Sequence, residues 1–218
     1  MKIAVFGSGA VGGYIGGRLA QDGHDVTFIA RGPHLQAILT QGLSVSSISG
    51  DFTVHPAKAF PNPHEIGAVD LVLCCVKSWQ LSQIVRDMQP LMGPETVVIP
   101  IQNGVEAHTT LSRTLHPEQI LPGLCRIISF VEAPGRIRHA GADPYLAFGE
   151  LNGRKTPRVE NVARAFAGSQ GLTVEVSQDI LADLWKKFML IAPWGVSALS
   201  PVRQLPLERK ARGEDRPE

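Results

Sequence analysis

Cysteine is scarce in this sequence, and its positions lack the spacing that cysteine chemistry requires. The 218 residues include three cysteines, Cys74, Cys75 and Cys125, and no Cys-x-x-Cys pair. An odd number cannot form a closed set of disulfides, and the missing pair excludes the usual zinc and thiol-redox signatures. Cys74 and Cys75 lie in the apolar run Leu71–Val76, where we expect them to be buried as small hydrophobic residues. The sequence therefore predicts no metal site.

An excess of one charge and a long hydrophobic run are also absent. Lys and Arg together number 21 and Asp and Glu 20, a formal net charge of +1, so we expect no nucleic-acid partner. No stretch approaches the ~20 apolar residues of a membrane span, and glycines interrupt the apolar N-terminus too early for a signal peptide. The 44% hydrophobic content is enough for a globular core. We expect a cytoplasmic protein without a membrane partner.

The first thirty residues have the pattern of a strand, a helix and a second strand. Ile3–Phe6 is an apolar run typical of a parallel strand buried on both faces. The stretch from Ala10 to Gln21 has apolar side chains at helical spacing, and Gly23 ends it. Val26–Ala30 is the next strand. This order predicts a β-α-β unit and therefore an α/β fold.

Apolar runs, alternation and turn residues predict the elements that follow. The predicted elements, in chain order, are a strand pair over Leu43–Val54, strands at Val69–Val76 and Thr96–Ile101 with a helix at Leu81–Leu91 between them, strands at Cys125–Val131, Arg136–His139 and Tyr145–Phe148, a helix at Pro157–Ala167 and a strand at Leu172–Val176. We assign everything up to residue 176 to one domain.

A long helical pattern begins after Ser177 or Asp179, either of which can cap it. Pro193 is expected to kink or break this helix, because proline lacks an N–H and collides with the preceding turn. The charged tail Arg203–Glu218 is expected to fray. We assign residues 177–218 to the beginning of a second domain. Nothing follows the helix to cover its wide apolar face, so we expect the exposed face to favour either a homodimer or instability.

A glycine-rich turn joins the first strand to the first helix. Between a strand and a helix, G-x-G-x-x-G is typical of a dinucleotide site: the first glycine permits the tight turn, the second lets a pyrophosphate approach, and the third allows close helix–strand packing. The free N–H groups and the dipole of the helix attract the phosphates. The alternative is a glycine turn without a ligand. We predict a Rossmann-type dinucleotide-binding domain over residues 1–176, with a loop of Gly7, Ser8, Gly9, Ala10, Val11 and Gly12.

The end of the second predicted strand indicates which dinucleotide binds. NAD-binding domains usually present an acidic residue to the ribose there, whereas this chain has Arg31, in Ala30-Arg31-Gly32, and no acid near it. A guanidinium matches a 2′-phosphate, so NADP(H) is favoured over NAD(H). The alternative is that Arg31 is an ordinary solvated surface residue.

The motifs of this chain together resemble those of the ketopantoate reductase (2-dehydropantoate 2-reductase) family. They are, in order, KIAVFGSGAVGGYIGGRLA, Arg31, DLVLCCVKSWQ, PIQNGVE, PGRIRHAG, YLAFGE and LWKKF, and the likeness runs from Met1 to about Ser200. The resemblance implies a Rossmann-type domain followed by the beginning of an all-helical C-terminal domain, with the active site between them. It also implies NADPH-dependent reduction of 2-dehydropantoate to pantoate, in pantothenate biosynthesis.

The resemblance also implies roles for three side chains. Lys187, in LWKKF, is expected to be the proton donor to the ketone oxygen. Asn103, in PIQNGVE, is expected to contact coenzyme and substrate near the nicotinamide, and Lys77, in DLVLCCVKSWQ, to lie close to the coenzyme. The residues themselves leave simpler interpretations open. Lys77 can be a surface lysine at a strand end, and Asn103 a turn residue of an Asn-Gly pair.

The helical pattern around Lys187 supports its role independently. Partial desolvation on an apolar stripe would lower the pKa of this lysine, as proton donation near neutral pH requires. The alternative is that its ammonium group reaches solvent, as Lys186 is expected to do. The residues that share the stripe with Lys187 at helical spacing are Ile180, Leu184, Ile191 and Trp194.

The chain departs from the family where asparagines are expected to hold the substrate. Those positions are Ile191 and Gly195, whose side chains cannot form a hydrogen bond. Most of the family's helical domain is also absent from the chain. The sequence therefore predicts an NADP-dependent reductase of a small 2-oxo acid, with 2-dehydropantoate as the first candidate. A reductase of a different 2-oxo acid and a non-catalytic NADP-binding remnant are the alternatives.

Overall fold

The computed structural model describes residues 1–199, in which ten strands and six helices form. The strands are β1 (Lys2–Phe6), β2 (Asp25–Ile29), β3 (Leu43–Ser47), β4 (Phe52–Val54), β5 (Lys58–Phe60), β6 (Leu71–Cys74), β7 (Val97–Pro100), β8 (Gly123–Ala133), β9 (Arg136–Phe148) and β10 (Thr173–Val176). The helices are α1 (Ala10–Gln21), α2 (Gly32–Gln41), α3 (Leu81–Asp87), α4 (Ala107–Leu111), α5 (Pro157–Ala165) and α6 (Ile180–Leu199). Within this part of the chain, no helix combines the length and the apolar character needed to cross a bilayer.

Five parallel strands form the first sheet, in the order β5-β2-β1-β6-β7. The central strand β1 passes to β2 through α1, so the predicted β-α-β unit is confirmed. The side chains of Ile3 and Val5 face one core, and those of Ala4 and Phe6 face another on the opposite side. Both faces of this sheet are buried, which explains why its strands are continuous apolar runs.

The second sheet has the order β10-β9-β3-β4, with β8 paired antiparallel to β9. Strands β3 and β4 form the antiparallel pair predicted over Leu43–Val54. The sequence predicted separate strands at Arg136–His139 and Tyr145–Phe148, but both belong to β9. They form one strand because β8 pairs with both ends of β9 and absorbs the irregularity between them as a shift of register.

Helix α1 lies between the two sheets, and its glycines let it approach both. A Cβ atom on Gly16 would lie 2.5 Å from Cγ2 of Val5, in the first sheet. On the neighbouring face of the helix, a Cβ atom on Gly13 would lie 2.1 Å from Cδ1 of Ile137, in the second sheet. Neither distance leaves room for a methyl group, so the spacing of the three layers depends on glycine at these positions.

The outer faces of the two sheets are covered by different helices. Helices α3 and α4 contribute to the core on the outer side of the first sheet. Helix α6 packs against the second sheet, where Ile180 and Leu184 contact Leu124 of β8 and Ala147 of β9. The order of layers is therefore α3 and α4, the first sheet, α1, the second sheet and α6.

Helix α6 has the predicted N-terminal cap but continues beyond the predicted break. Oδ1 of Asp179 accepts a hydrogen bond from the N–H of Ala182 at 3.0 Å, and the hydroxyl oxygen of Ser177 accepts one from the N–H of Asp179 at 3.1 Å. Of the predicted kink or break at Pro193, the break is wrong, because the helix runs through Pro193 to Leu199; the kink stays a prediction. The turns on each side of a proline can keep their own hydrogen bonds. The tail Arg203–Glu218, predicted to fray, lies outside the described residues.

The contact of α1 with the first sheet can be tested with Gly16→Ala. Overpacking a core costs about 1–3 kcal/mol, and the preference of helices for alanine offsets about 1 kcal/mol of this. The neighbours Val5 and Phe28 are fully buried and cannot move aside. We expect a net loss of about 1 kcal/mol in the free energy of unfolding, measured by urea denaturation.

Gly168→Ala is the matched control, because a Cβ atom there meets Asp22 at an ordinary distance of 3.5 Å. Its free energy of unfolding should stay within about 0.5 kcal/mol of that of the unaltered chain. A Gly16→Ala variant as stable as this control would show that α1 is not held closely against the first sheet.

Candidate active site

A cleft of about 290 Å³ opens at the carboxyl ends of β1, β2 and β6. This edge is where open parallel sheets bind their ligands, because the strand order reverses there and leaves a crevice between neighbouring connections. The glycine loop after β1 forms one wall, and the segments after β2 and β6 form the others. The lining residues are Phe6, Gly7, Ser8, Gly9, Ile29, Ala30, Arg31, His34, Cys75, Val76, Lys77, Gln80 and Ile84.

The glycine loop has the geometry that its sequence predicts. Gly7 has a φ of +96°, in the left-handed region that favours glycine. A Cβ atom on Gly12 would lie 2.3 Å from the carbonyl oxygen of Gly7, so α1 starts in direct contact with the turn. The loop is tied to β2 by the N–H of Ser8, which donates to the carbonyl oxygen of Ile29 at 3.1 Å.

The start of α1 is left open towards the cleft. Its N-cap is Gly9, which has no side chain to accept a hydrogen bond from the first turn. A Cβ atom on Gly9 would meet nothing within 4 Å, in contrast to those on Gly7 and Gly12. Unpaired N–H groups at a helix start, beside open space, are the arrangement that binds a diphosphate. The loop therefore fits the dinucleotide that the sequence predicts.

Two of the predicted basic residues line this cleft. Arg31 is the N-cap residue of α2, directly after β2, and Lys77 follows β6. Both are exposed, and they approach the cleft from the two strands next to β1. The structure thus brings a guanidinium and an ammonium group to one anion-binding edge, together with the glycine loop.

His34 is a residue of this site that the sequence analysis missed. Its Nδ1 accepts a hydrogen bond from the N–H of Gly135 at 3.0 Å, so the proton is on Nε2, which donates to the carbonyl oxygen of Ser8 at 2.8 Å. The ring therefore links the glycine loop to the turn between β8 and β9. No local pattern could reveal this, because its partners are 26 and 101 residues away.

Lys187 lies on α6 with its side chain buried against β8. Its residue is 8% exposed, and Nζ donates a hydrogen bond of 2.6 Å to the carbonyl oxygen of Cys125. Burial lowers the pKa of Lys187; the Cys125 thiol opposes this and the charge of Arg126 adds to it. The predicted burial of Lys187 among Ile180 and Leu184 is confirmed. The ammonium group is held at a fixed point instead of extending into solvent.

The remaining predicted residues are Asn103, after β7, and Ile191 and Gly195, on α6. Asn103 is exposed in the turn after β7 and is not part of the lining of the cleft. Ile191, one turn after Lys187, is half-buried, and Gly195 lies further along α6.

Two cysteines lie beside these groups, Cys125 next to Lys187 and Cys75 in the lining of the dinucleotide cleft. Burial raises the pKa of Cys125 to about 12. Burial also raises the pKa of Cys75, and the neighbouring charges of Cys74 and Cys125 raise it further. Cys75 lines the cleft, and the backbone carbonyl group of Cys125 accepts the hydrogen bond from Lys187. Thiols with raised pKa values stay neutral, so neither cysteine adds a charge beside these groups.

The chain is similar to known oxidoreductases over most of its length. Residues 3–153 match the family described as ketopantoate reductase PanE/ApbA. The uncharacterized oxidoreductase YkpB of Bacillus subtilis is 37% identical over 192 residues, which are 88% of this chain and 62% of that protein. The 2-dehydropantoate 2-reductase of Mesorhizobium japonicum is 30% identical over 94% of this chain and 67% of its own length. The chain thus spans about two thirds of these relatives.

Solved structures share the fold. The 2-dehydropantoate 2-reductase of Porphyromonas gingivalis superposes with a TM-score of 0.86 and 32% identity, covering 91% of this chain and 71% of that one. D-Mandelate dehydrogenase, solved as a ternary structure with NADH and anilino(oxo)acetate, has a TM-score of 0.76 and 26% identity, covering 86% and 60%. With its glycine loop, its parallel sheet and these similarities, the chain belongs to the ketopantoate reductase PanE/ApbA family of oxidoreductases.

Proposed function

We propose that the protein catalyses the NADPH-dependent reduction of a small 2-oxo acid, with 2-dehydropantoate as the first candidate and pantoate, a precursor of pantothenate, as the product. The observation that carries this proposal is the buried ammonium group of Lys187, fixed on the carbonyl oxygen of Cys125 at 2.6 Å. A buried lysine with a lowered pKa is the kind of group that donates a proton at physiological pH. Membership of the family supports the same reaction class.

The dinucleotide is held by the cleft at the carboxyl edge of the first sheet. The glycine loop, from Gly7 to Gly12, offers its N–H groups to the diphosphate, because the space beside Gly9 is open. Arg31 and Lys77 line this cleft; the guanidinium of Arg31, after β2, is proposed to bind the 2′-phosphate of NADPH, and Lys77 adds a second positive charge. Once bound, NADPH supplies a hydride to the carbonyl carbon of the substrate.

Lys187 supplies the proton that completes the reduction. As the carbonyl carbon forms its new C–H bond, the electron pair of the C=O double bond moves to the oxygen, and Nζ of Lys187 protonates that oxygen to give the hydroxyl group. Burial makes the ammonium group a stronger acid than an exposed lysine. The hydrogen bond to Cys125 limits the positions of Nζ before transfer. Asn103, in the turn after β7, is proposed to orient the reacting groups.

A second candidate is the reduction of a 2-oxo acid other than 2-dehydropantoate. Ile191 and Gly195 favour this candidate, because they offer no hydrogen-bonding side chain on the helix that carries Lys187. The similarity to D-mandelate dehydrogenase supports the same candidate, because anilino(oxo)acetate, with which that protein was solved, also has a carbonyl group next to a carboxylate. Comparing turnover of 2-dehydropantoate with that of aryl and alkyl 2-oxo acids separates the two candidates.

Gly9→Ala tests whether the glycine loop binds the coenzyme. The added methyl group meets no protein atom within 4 Å, so the free energy of unfolding should change by less than about 0.5 kcal/mol. It would fill the space in which the diphosphate lies, and we expect the Kd for NADPH to rise about tenfold or more, a loss of roughly 1.4 kcal/mol. Isothermal titration calorimetry measures the affinity, with Gly168→Ala as the control. Unchanged affinity would place the coenzyme elsewhere.

Arg31→Ala tests the choice between NADPH and NADH. Loss of a charge-assisted hydrogen bond worth about 1.5 kcal/mol corresponds to roughly a tenfold rise in Kd for NADPH. The Kd for NADH should change little, since NADH has no 2′-phosphate. Both constants are measured on the same preparation by fluorescence titration. Equal weakening of both coenzymes, or of neither, would contradict the assignment of Arg31 to the 2′-phosphate.

Lys187→Met tests the proton donor. Removing a general acid lowers kcat by about 10²–10⁴-fold, and the Kd for NADPH should stay unchanged. Lys155→Met, at an exposed lysine in the loop before α5, is the matched control and should keep full activity. Stopped-flow absorbance at saturating NADPH measures the rate.

The pH profile of the same pair of proteins provides a second readout. Lys187 acts in its protonated form, so kcat should fall as pH rises through its pKa, and the midpoint should lie below the ordinary 10.5 of lysine. Lys187→Met should lose this dependence. A variant that keeps both its rate and its pH profile would show that another group donates the proton.

A further inference from the structure

A second cavity, of about 120 Å³, lies directly beside Lys187. It is formed between the second sheet and α6, and it shares no lining residue with the dinucleotide cleft. Of its charged residues, Lys187 has a role that the sequence predicts. The residues that matter for its chemistry are Arg126 of β8, Tyr145 of β9, and Asp183 and Lys187 of α6.

Arg126 is held in this cavity by its cross-strand neighbour. It pairs with Tyr145 in the ladder between β8 and β9, and its guanidinium lies 4.1 Å from the centre of the Tyr145 ring. The ring is fixed in turn, because its hydroxyl donates to Glu175 at 2.6 Å. The register of β8 shifts directly after Arg126, as is common where a strand directs a side chain towards a site.

The guanidinium of Arg126 forms neither an ion pair nor a hydrogen bond within the described residues 1–199. It stacks on the ring of Tyr145, and its positive charge helps to lower the pKa of Asp183 without direct contact between the two groups. The carboxylate of Asp183 is engaged by the hydroxyl of Ser177 at 2.7 Å and by the ammonium of Lys186 at 3.1 Å. Arg126 is exposed and lines the cavity, so its N–H donors are available to a ligand there, and they match a carboxylate in a bidentate arrangement.

Lys187 contacts β8 at the residue next to Arg126. The carbonyl group that accepts the hydrogen bond from Nζ of Lys187 belongs to Cys125, the residue before Arg126. In a 2-oxo acid, the carboxylate carbon is bonded directly to the ketone carbon. Two adjacent cationic side chains, one shaped for a carboxylate and one able to donate a proton, match these two neighbouring groups.

We propose that Arg126 binds the carboxylate of the 2-oxo acid substrate, and so places its ketone oxygen against Nζ of Lys187. The inference rests on the proposed function and deepens it, because it assigns the residue that selects acids over neutral ketones. The carboxylate supplies the ion-pair partner that the guanidinium lacks among residues 1–199. Arg126 is a specificity-determining residue in this arrangement, and Lys187 is the proton donor.

Arg126→Gln tests the proposal, because glutamine keeps a polar side chain at this position and removes the charge. Binding of 2-dehydropantoate is titrated calorimetrically, once with NADP⁺ present and once without coenzyme. We expect the Kd of the acid to rise at least tenfold in the variant. The Kd of its neutral methyl ester should stay within twofold of that of the unaltered chain. Where turnover is measured, KM for the acid should rise much more than kcat falls.

Arg138→Gln is the matched control, since Arg138 is an exposed arginine of β9 that pairs with Glu132 at 3.8 Å instead of facing the cavity. It should bind acid and ester with unchanged affinity. Thermal unfolding of both variants separates loss of binding from loss of structure: Arg126→Gln should lose acid binding at temperatures where it is folded.

Three outcomes would overturn the inference: an unchanged Kd for the acid in Arg126→Gln, equal weakening of acid and ester, or an unaltered chain that binds coenzyme but no 2-oxo acid. Equal weakening would mean that the stack on Tyr145 only supports the sheet. Failure of the proposed function looks different, because the unaltered chain would then not bind NADPH. The titration without coenzyme would still report whether Arg126 selects the acid.

Discussion

The close approach of α1 to both sheets is the constraint on which the rest of the structure depends. Gly16 brings the helix against Val5 in the first sheet, and Gly13 brings it against Ile137 in the second. The same helix begins at the glycine loop, so the contact that builds the core also sets the position of the unpaired N–H groups at the cleft. A wider spacing would move the loop away from the ends of β2 and β6, where the other lining residues lie. Packing and coenzyme binding therefore share one requirement, which is glycine at particular positions of α1.

The second sheet has a separate role in the candidate site, since it carries the groups proposed to act on the substrate. Strand β8 presents the carbonyl group of Cys125 to Lys187 and the side chain of Arg126 to the adjacent cavity. Helix α6 is held on this sheet by Ile180 and Leu184, and these contacts keep Lys187 away from solvent. In the proposed function, the first sheet binds the coenzyme, and the second sheet with α6 holds the substrate and the proton donor. Cys75 in the cleft and Cys125 beside Lys187 stay neutral, because burial raises the pKa of each thiol.

Local patterns predicted the elements whose residues are buried in a regular pattern. They failed where a contact between residues far apart in the sequence determines the structure. The runs of β1, β6 and β7 were predicted because strands buried on both faces must be apolar throughout. Helices α2 and α4 and strand β5 were not predicted, since few of their residues are buried. The division of β9 into two strands was wrong because the sequence does not show that β8 bridges the irregular part. His34 was missed for the same reason, since both of its hydrogen-bond partners come from other segments.

What the sequence determined by itself was the β-α-β unit, the glycine loop, the basic residue after β2 and the apolar stripe that contains Lys187. Each of these depends on residue types at short spacing, and short spacing fixes local geometry. The tertiary structure alone decided that Lys187 is held by Cys125, that Arg126 stacks on Tyr145, and that Arg126 and Lys187 line one cavity. These contacts join β8, β9 and α6 across many residues of chain, and only the packing of sheets and helices brings such distant groups together.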